Sequence, residues 1–523
     1  MKDQGQADNG EADRDEKDAT SGSSRRFFFF GALAGATALL SRRAGAQGLG
    51  RPRKPLVTRP RTQTFPTAVV NESVAALPDW TNSRARLVRR ISMGMTPSAM
   101  NRVEQLGYQE YLNRQLAYAD LDDSSVAAVV AARWPLISAP VSTLFTANQG
   151  TLQQQLQEAT IYRAAFSERQ LYERMVEFWT DHFNVAITKV GFLKVVDDRD
   201  VIRRHALGRF RDLLMATAKS PAMLAYLDQT QSRRGAPNEN YARELMELHT
   251  VGVDGGYTQT DVSELARVLT GWTIQGQSAF VFNPSLHDFG AKAVMGQSFP
   301  ATSTSVGTQA ISEGEQFINY LASHPNTATY VSTKLVRWLL QAEPTATQIA
   351  VVSHAWKATG GNIRLVVRAI LNEGWLAVAP AKFKRPFHFL VSALRATNAE
   401  VTSAAGLNSR LNTIGQPLFI YETPDGYPDL VEYWSGNIMP RWSFATFLST
   451  QNSGTTVRVV TTPFLSGSPD AAIDMIDTNF FGGEMSLTLR LALLGYLKAG
   501  TFNDARVRET MALALSSAEF QWY

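Results

Sequence analysis

Between Asn238 and Thr273 the chain reads NENYARELMELHTVGVDGGYTQTDVSELARVLTGWT. Apolar residues recur there at helical spacing, stop at Asp254-Gly255-Gly256, and resume. A helix turns about 100° per residue. Tyr241, Ala242, Leu245, Met246 and Leu248 therefore share one arc, with His249 near its centre and Glu244 at its border. The stretch Glu168 to Phe183 repeats the pattern. Leu171, Met175, Val176, Phe178, Trp179 and Phe183 form an arc that contains His182, while Glu173, Glu177 and Asp181 fall on the opposite face. Two amphipathic helices, each with an imidazole on its buried side, predict packed helices around a core. Each buried ring must then find a hydrogen-bond partner or a metal.

Helical patterning extends over most of the chain. The spacing predicts helices over 81–92, 97–106, 108–118, 151–165, 168–185, 207–218, 238–251, 260–272, 312–322, 327–340, 345–357, 362–372, 386–396, 442–448, 486–499 and 504–516. Ser220-Pro221 restarts a helix through Leu227, with serine as N-cap and proline at the first helical position. Thr258 and Asp261 are spaced for a capping box. Ala279 to Gly296 breaks the helical period and reads as a short hairpin or lid-like loop. The expected architecture is mainly α, one large multi-helix globular domain over 79–523. It carries a β or loop insertion at about 276–310 and an irregular, aromatic, proline-rich region at about 415–441.

The N-terminus carries an export pattern. Ser24-Arg25-Arg26-Phe27-Phe28-Phe29 is a twin-arginine motif, an apolar run continues to Leu40, and Ala44-Gly45-Ala46 offers small residues for cleavage. Residues 1–46 read as a twin-arginine signal peptide and 47–78 as a basic, proline-rich linker. The expected location is periplasmic or secreted, by way of the twin-arginine translocase. The apolar run is too short for a comfortable membrane span, so no stable span is expected after cleavage.

Composition excludes several chemistries. The chain has 523 residues and no cysteine. Disulfides, thiolate metal sites, iron–sulfur clusters and cysteine nucleophiles are thereby removed. A net charge of +4 is too mild for a nucleic-acid binder. Phosphate-loop, dinucleotide, Gly-x-Ser-x-Gly and His-Glu-x-x-His patterns are all missing. Two readings of the imidazoles stay open. In one they are core histidines bonded to backbone or carboxylate. In the other His182, His249 and Glu244 converge on a divalent metal, with zinc, iron or manganese suited to such donors. His287-Asp288 lies in the irregular loop that follows. It is either a turn held by the aspartate side chain or a catalytic pair brought over the two rings. Tyr421, Tyr427, Tyr433, Trp434 and Trp442 read as a core plug under the late loop, with a sugar-binding groove as the alternative.

From about Asp79 onward these segments resemble the bacterial exported family catalogued as domain of unknown function 1800. The resemblance is carried by Phe178-Trp179-Thr180-Asp181-His182-Phe183, Tyr226-Leu227-Asp228, the Asn238–Thr258 segment and Leu269-Thr270-Gly271-Trp272-Thr273. His287-Asp288, Arg385-Pro386, Gly415-Gln416-Pro417 and Gly426-Tyr427-Pro428 complete it. Two positions depart from the family pattern: Asp181 stands where asparagine is usual, and Tyr427 where tryptophan is usual. The resemblance implies no established reaction. It does imply a partner, since genes of the family often lie beside those of an exported sulfatase-like protein. The expected function is binding or assembly with such a protein; a metal-dependent hydrolase or oxidoreductase is the alternative.

Overall fold

Residues 78–523 are described by the computed structural model, so the export signal and most of the linker lie outside the described residues. The described part is mainly α-helical, with three two-stranded antiparallel sheets. No described helix is long and apolar enough to cross a membrane.

Two apolar cores organise the helices. The first gathers the helices near the start of the described chain, both histidine-bearing segments and the helices between Ile311 and Val378. The second gathers the helix Gln149–Phe166, the helix Pro386–Ala396 and the C-terminal helices through Asp504–Ser516. Pro386–Ala396 is buried on nearly every side, which fits its run of apolar residues and its proline at the first helical position.

The helix Gln170–His182 is also buried nearly all round, so the face opposite its apolar arc, which carries Glu173, Glu177 and Asp181, is covered as well. Its carboxylates are covered because cations reach them, Arg203 and Arg385 from distant segments and Arg174 from the same helix. Arg203 pairs with Glu173 at 3.0 Å and Arg174 with Glu177 at 3.3 Å, while Arg385 lies 2.6 Å from Asp181. Buried charges persist only when paired in this way.

The second histidine segment is shorter than its period suggests. The helix Glu239–Glu247 starts at Asn238, whose side chain caps it by accepting from the Asn240 N–H. It ends before Leu248, so His249 sits in the turn beyond the helix yet remains buried. Gly252, with φ +85°, turns the chain under the ring of Tyr330. The next helix, Gln259–Val268, begins with the expected capping box of Thr258 and Asp261.

That helix stops four residues early. Gly271 adopts φ +86°, and a Cβ there would lie 2.7 Å from the carbonyl of Asn283. The chain instead enters a strand at Trp272–Gln275, which pairs with Ala279–Phe282, and Lys292–Val294 pairs with Gln297–Phe299. The expected insertion is thus two hairpins. Ser220 stands at its helix start without capping it by side chain; its hydroxyl donates to Asp197 at 2.7 Å.

Candidate functional site: a cleft beside paired imidazoles

His182 occupies the last turn of its helix, in a box made by Phe178, Trp179, Phe183, Phe210 and Tyr330. His249 packs against Phe183, and its ring centroid lies 6.2 Å from that of His182. The two segments read separately in the sequence therefore meet. A carbonyl oxygen can only accept, so the 3.1 Å contact of His182 Nε2 with the His249 carbonyl puts the ring proton on Nε2. Nδ1 of His182 and Nε2 of His249 are both buried without a hydrogen-bond partner.

Burial keeps both rings neutral. It drives His182 well below the usual histidine range and His249 down to about 3, and the nearby Lys334 ammonium pushes both the same way. Glu244 is buried close by in sequence, and its backbone carbonyl accepts from the N–H of His249 at 3.1 Å. Among the described residues, no three His, Asp or Glu side chains are grouped to hold one metal ion.

His182 forms part of the wall of a cleft of about 210 Å³. Asp181, Lys334, Trp338, Arg385, Asp425 and Tyr427 are among the other residues around it. Lys334, Arg337 and Trp338 share one face of the helix Pro325–Leu339. Arg385 precedes the helix Pro386–Ala396 and lies 2.6 Å from Asp181 and 3.9 Å from Glu177. Desolvation raises the Asp181 carboxyl, opposed by Arg385 and by the Tyr427 backbone N–H. Burial lowers Lys334 to about 8, opposed by Asp181 and Asp425.

The remaining wall is the loop at Gly426-Tyr427-Pro428. Gly426 has φ +70°, and a Cβ on it would fall 2.2 Å from the carbonyl oxygen of Asp181. Only glycine lets this loop close on the end of the histidine helix. Tyr427 donates its hydroxyl to the Pro417 carbonyl at 2.7 Å and packs on Tyr421 and Trp434. Arg385 lies against Tyr427 and Trp434. Of the five late aromatics only Trp434 is fully buried. Tyr421 and Tyr427 are half-buried, with Tyr427 reaching the cleft, and Tyr433 and Trp442 are exposed, which corrects the expectation of a core plug.

Other predicted residues stand elsewhere. His287 has Nδ1 at 2.8 Å from the Thr270 carbonyl and Nε2 at 3.5 Å from Glu313. Phe282 and Phe289 flank its ring, and it shares none of these contacts with His182 or His249. Asp288 pairs with Arg267 at 2.8 Å and accepts from the Gly290 N–H at 2.9 Å. Glu313, which also binds Lys292 at 2.7 Å, was not singled out by the sequence reading. Lys334 and Arg337 were missed too. Their signal was two cations three residues apart on an otherwise uncharged helix.

The pattern of the family described as "Protein of unknown function (DUF1800)" matches residues 86–522, nearly all of the described chain. The chain belongs to this family. No curated protein and no solved structure matches it. Within this DUF1800 chain, Asp181 and Tyr427 both line the cleft, and the Tyr427 backbone N–H acts on the Asp181 carboxyl.

Proposed function

We propose that this DUF1800 protein is an exported binding or assembly protein that works through the cleft beside His182, together with a second exported protein. The observation that supports this reading is convergence. Asp181-His182, Arg385-Pro386 and Gly426-Tyr427-Pro428 are distant in sequence, and Asp181, His182, Arg385, Tyr427 and Pro428 all line one concave site. Concave sites with aromatic walls and a few charged groups are where proteins take ligands. The partner proposed is the sulfatase-like protein encoded nearby, and the route is twin-arginine export.

Co-expression of the two full-length proteins, followed by fractionation of the periplasm and gel filtration, tests this. A complex that forms with the wild type and is lost in Tyr427→Ala, with melting temperature retained, supports the reading. A complex unaffected by substitutions around the cleft, or recovery of the chain in the cytoplasm alone, overturns it.

A metal-dependent hydrolase or oxidoreductase is the second reading. It is favoured by the two adjacent neutral rings, each with an open nitrogen. Zinc, iron or manganese would supply Lewis-acid chemistry there. Against it stands the lack, among the described residues, of a third donor grouped with them. Elemental analysis of protein purified from the export compartment decides: stoichiometric metal that is lost in His182→Ala and His249→Ala supports this reading over the first.

A further inference from the structure

We infer that Lys334 and Arg337 form a seat in this cleft for an oxyanion, a carboxylate or a phosphate monoester, on a small ligand with an apolar or ring-shaped body. The inference rests on the cleft being the binding site and names the class of ligand it takes.

The first support is the pairing of charges. Three cations and three carboxylates line the cleft. Arg385 is held by Asp181 and Glu177, and Asp429 is held by Lys382 at 3.0 Å. Lys334 and Arg337 are different. Among the described residues neither has a carboxylate within 4.0 Å. Arg337 donates its Nε–H to the Ala342 carbonyl at 3.0 Å, and Lys334 lies over the Tyr330 ring with its nitrogen 5.6 Å from the centroid. Asp425 is the one lining carboxylate outside an ion pair, and it is exposed. Two half-buried cations therefore face the space without a carboxylate in contact; the acids that act on Lys334 from a distance are Asp181, already paired with Arg385, and the solvated Asp425. Half-buried cations gain most from a partner that enters the site with its own negative charge.

Shape and neighbours narrow the ligand. At about 30 Å³ per water, a 210 Å³ cleft holds about seven waters or one small organic molecule. Phe178, Trp338 and Tyr427 supply flat apolar walls. Lys334 and Arg337, three residues apart, project from one helix face, so both can reach one group.

The test uses the full mature chain and three probes of similar size: benzoate, phenyl phosphate and benzyl alcohol. Affinities are measured by calorimetric titration of the wild type, Lys334→Met, Arg337→Met and Lys334→Arg. At least one anion is expected to bind at millimolar concentration or better, about tenfold or more tighter than benzyl alcohol. Each methionine variant is expected to lose about tenfold for that anion and to leave benzyl alcohol unchanged. Lys334→Arg restores the anion. Preference for benzoate identifies a carboxylate, and preference for phenyl phosphate a phosphate monoester. Equal affinity for the alcohol and the anions, no saturable binding of either anion, or unchanged binding in both methionine variants overturns the inference. If Tyr427→Ala still abolishes the protein complex in that event, the cleft reading stands and only the oxyanion seat falls.

Discussion

The ring of His182 donates to the backbone carbonyl of His249 at 3.1 Å, so one motif's side chain is fixed by another motif's main chain. The bond sets the tautomer of His182 and leaves Nδ1 as an open acceptor. It also ties the cleft wall to the turn after Glu247.

The two rings make stability sensitive to acid. His249 falls from an ordinary 6.5 to about 3 on folding, and His182 also falls well below that value. Below 6.5 the unfolded chain binds protons that the folded chain refuses. Their contribution is thus complete above about 6.5 and is lost as the pH drops toward 3. Each ring adds a slope of up to about 1.4 kcal/mol per pH unit in that window. Urea unfolding between pH 7 and 4, compared for wild type and His249→Gln, measures it; the variant is expected to show the shallower slope. Parallel slopes contradict the assignment.

Gly426→Ala is expected to destabilise more than Gly483→Ala. Both glycines have positive φ, +70° and +81°, so both substitutions carry the backbone strain, about 1 kcal/mol. Only Gly426 also has a backbone oxygen 2.2 Å from the added methyl, whereas nothing lies within 4 Å at Gly483. Thermal unfolding of the pair isolates the contact, and Gly426→Ala is expected to weaken ligand or partner binding as well.

Arg385→Met removes the cation shared by Asp181 and Glu177. Burial already pushes both carboxyls up. The expected loss is about 3–5 kcal/mol, because buried carboxylates are left without compensation. Asp181→Asn is expected to cost less, since Arg385 keeps Glu177 nearby and the amide oxygen can still accept. Denaturant midpoints of the two variants give the order.

Glu313→Gln tests whether the His287 site is separate. Burial would push Glu313 up, but His287 and Lys292 outweigh it and hold the carboxyl below its usual range. Removing the charge is expected to destabilise the chain by about 2–4 kcal/mol and to leave anion binding in the cleft unchanged. A matching loss of cleft binding would join the two sites.

Much of the helical framework was legible because core periodicity and punctuation agree. Pro386–Ala396 and Asp504–Ser516 fall where the pattern places them, one begun by proline and the other capped by Asn503. The burial of His182 and His249 was also legible, since each ring lay among apolar neighbours, but their meeting was only one of two readings left open. That the face carrying Glu173, Glu177 and Asp181 is covered was not legible, because periodicity cannot reveal an arginine arriving from elsewhere. Arg203 and Arg385 decide that face. The end of the Gln259–Val268 helix was misplaced because Leu269 and Trp272 continue the apolar pattern, while Gly271 and its contact with Asn283 end the helix. Ser124–Arg133 escaped notice because it buries only Val126 and Val130 and shows no clear stripe. Lys334 carries no motif of its own; only the approach of Asp181, His182 and Asp425 gives it a site.

Nitrogen-15 NMR of the histidine rings at pH 7 tests the central claim most directly. A neutral His182 with its proton on Nε2, slow to exchange, and an unprotonated Nδ1 that stays so down to pH 5 is the predicted result. A proton on Nδ1, or a doubly protonated ring in that range, would contradict the pairing with His249 on which the cleft is built.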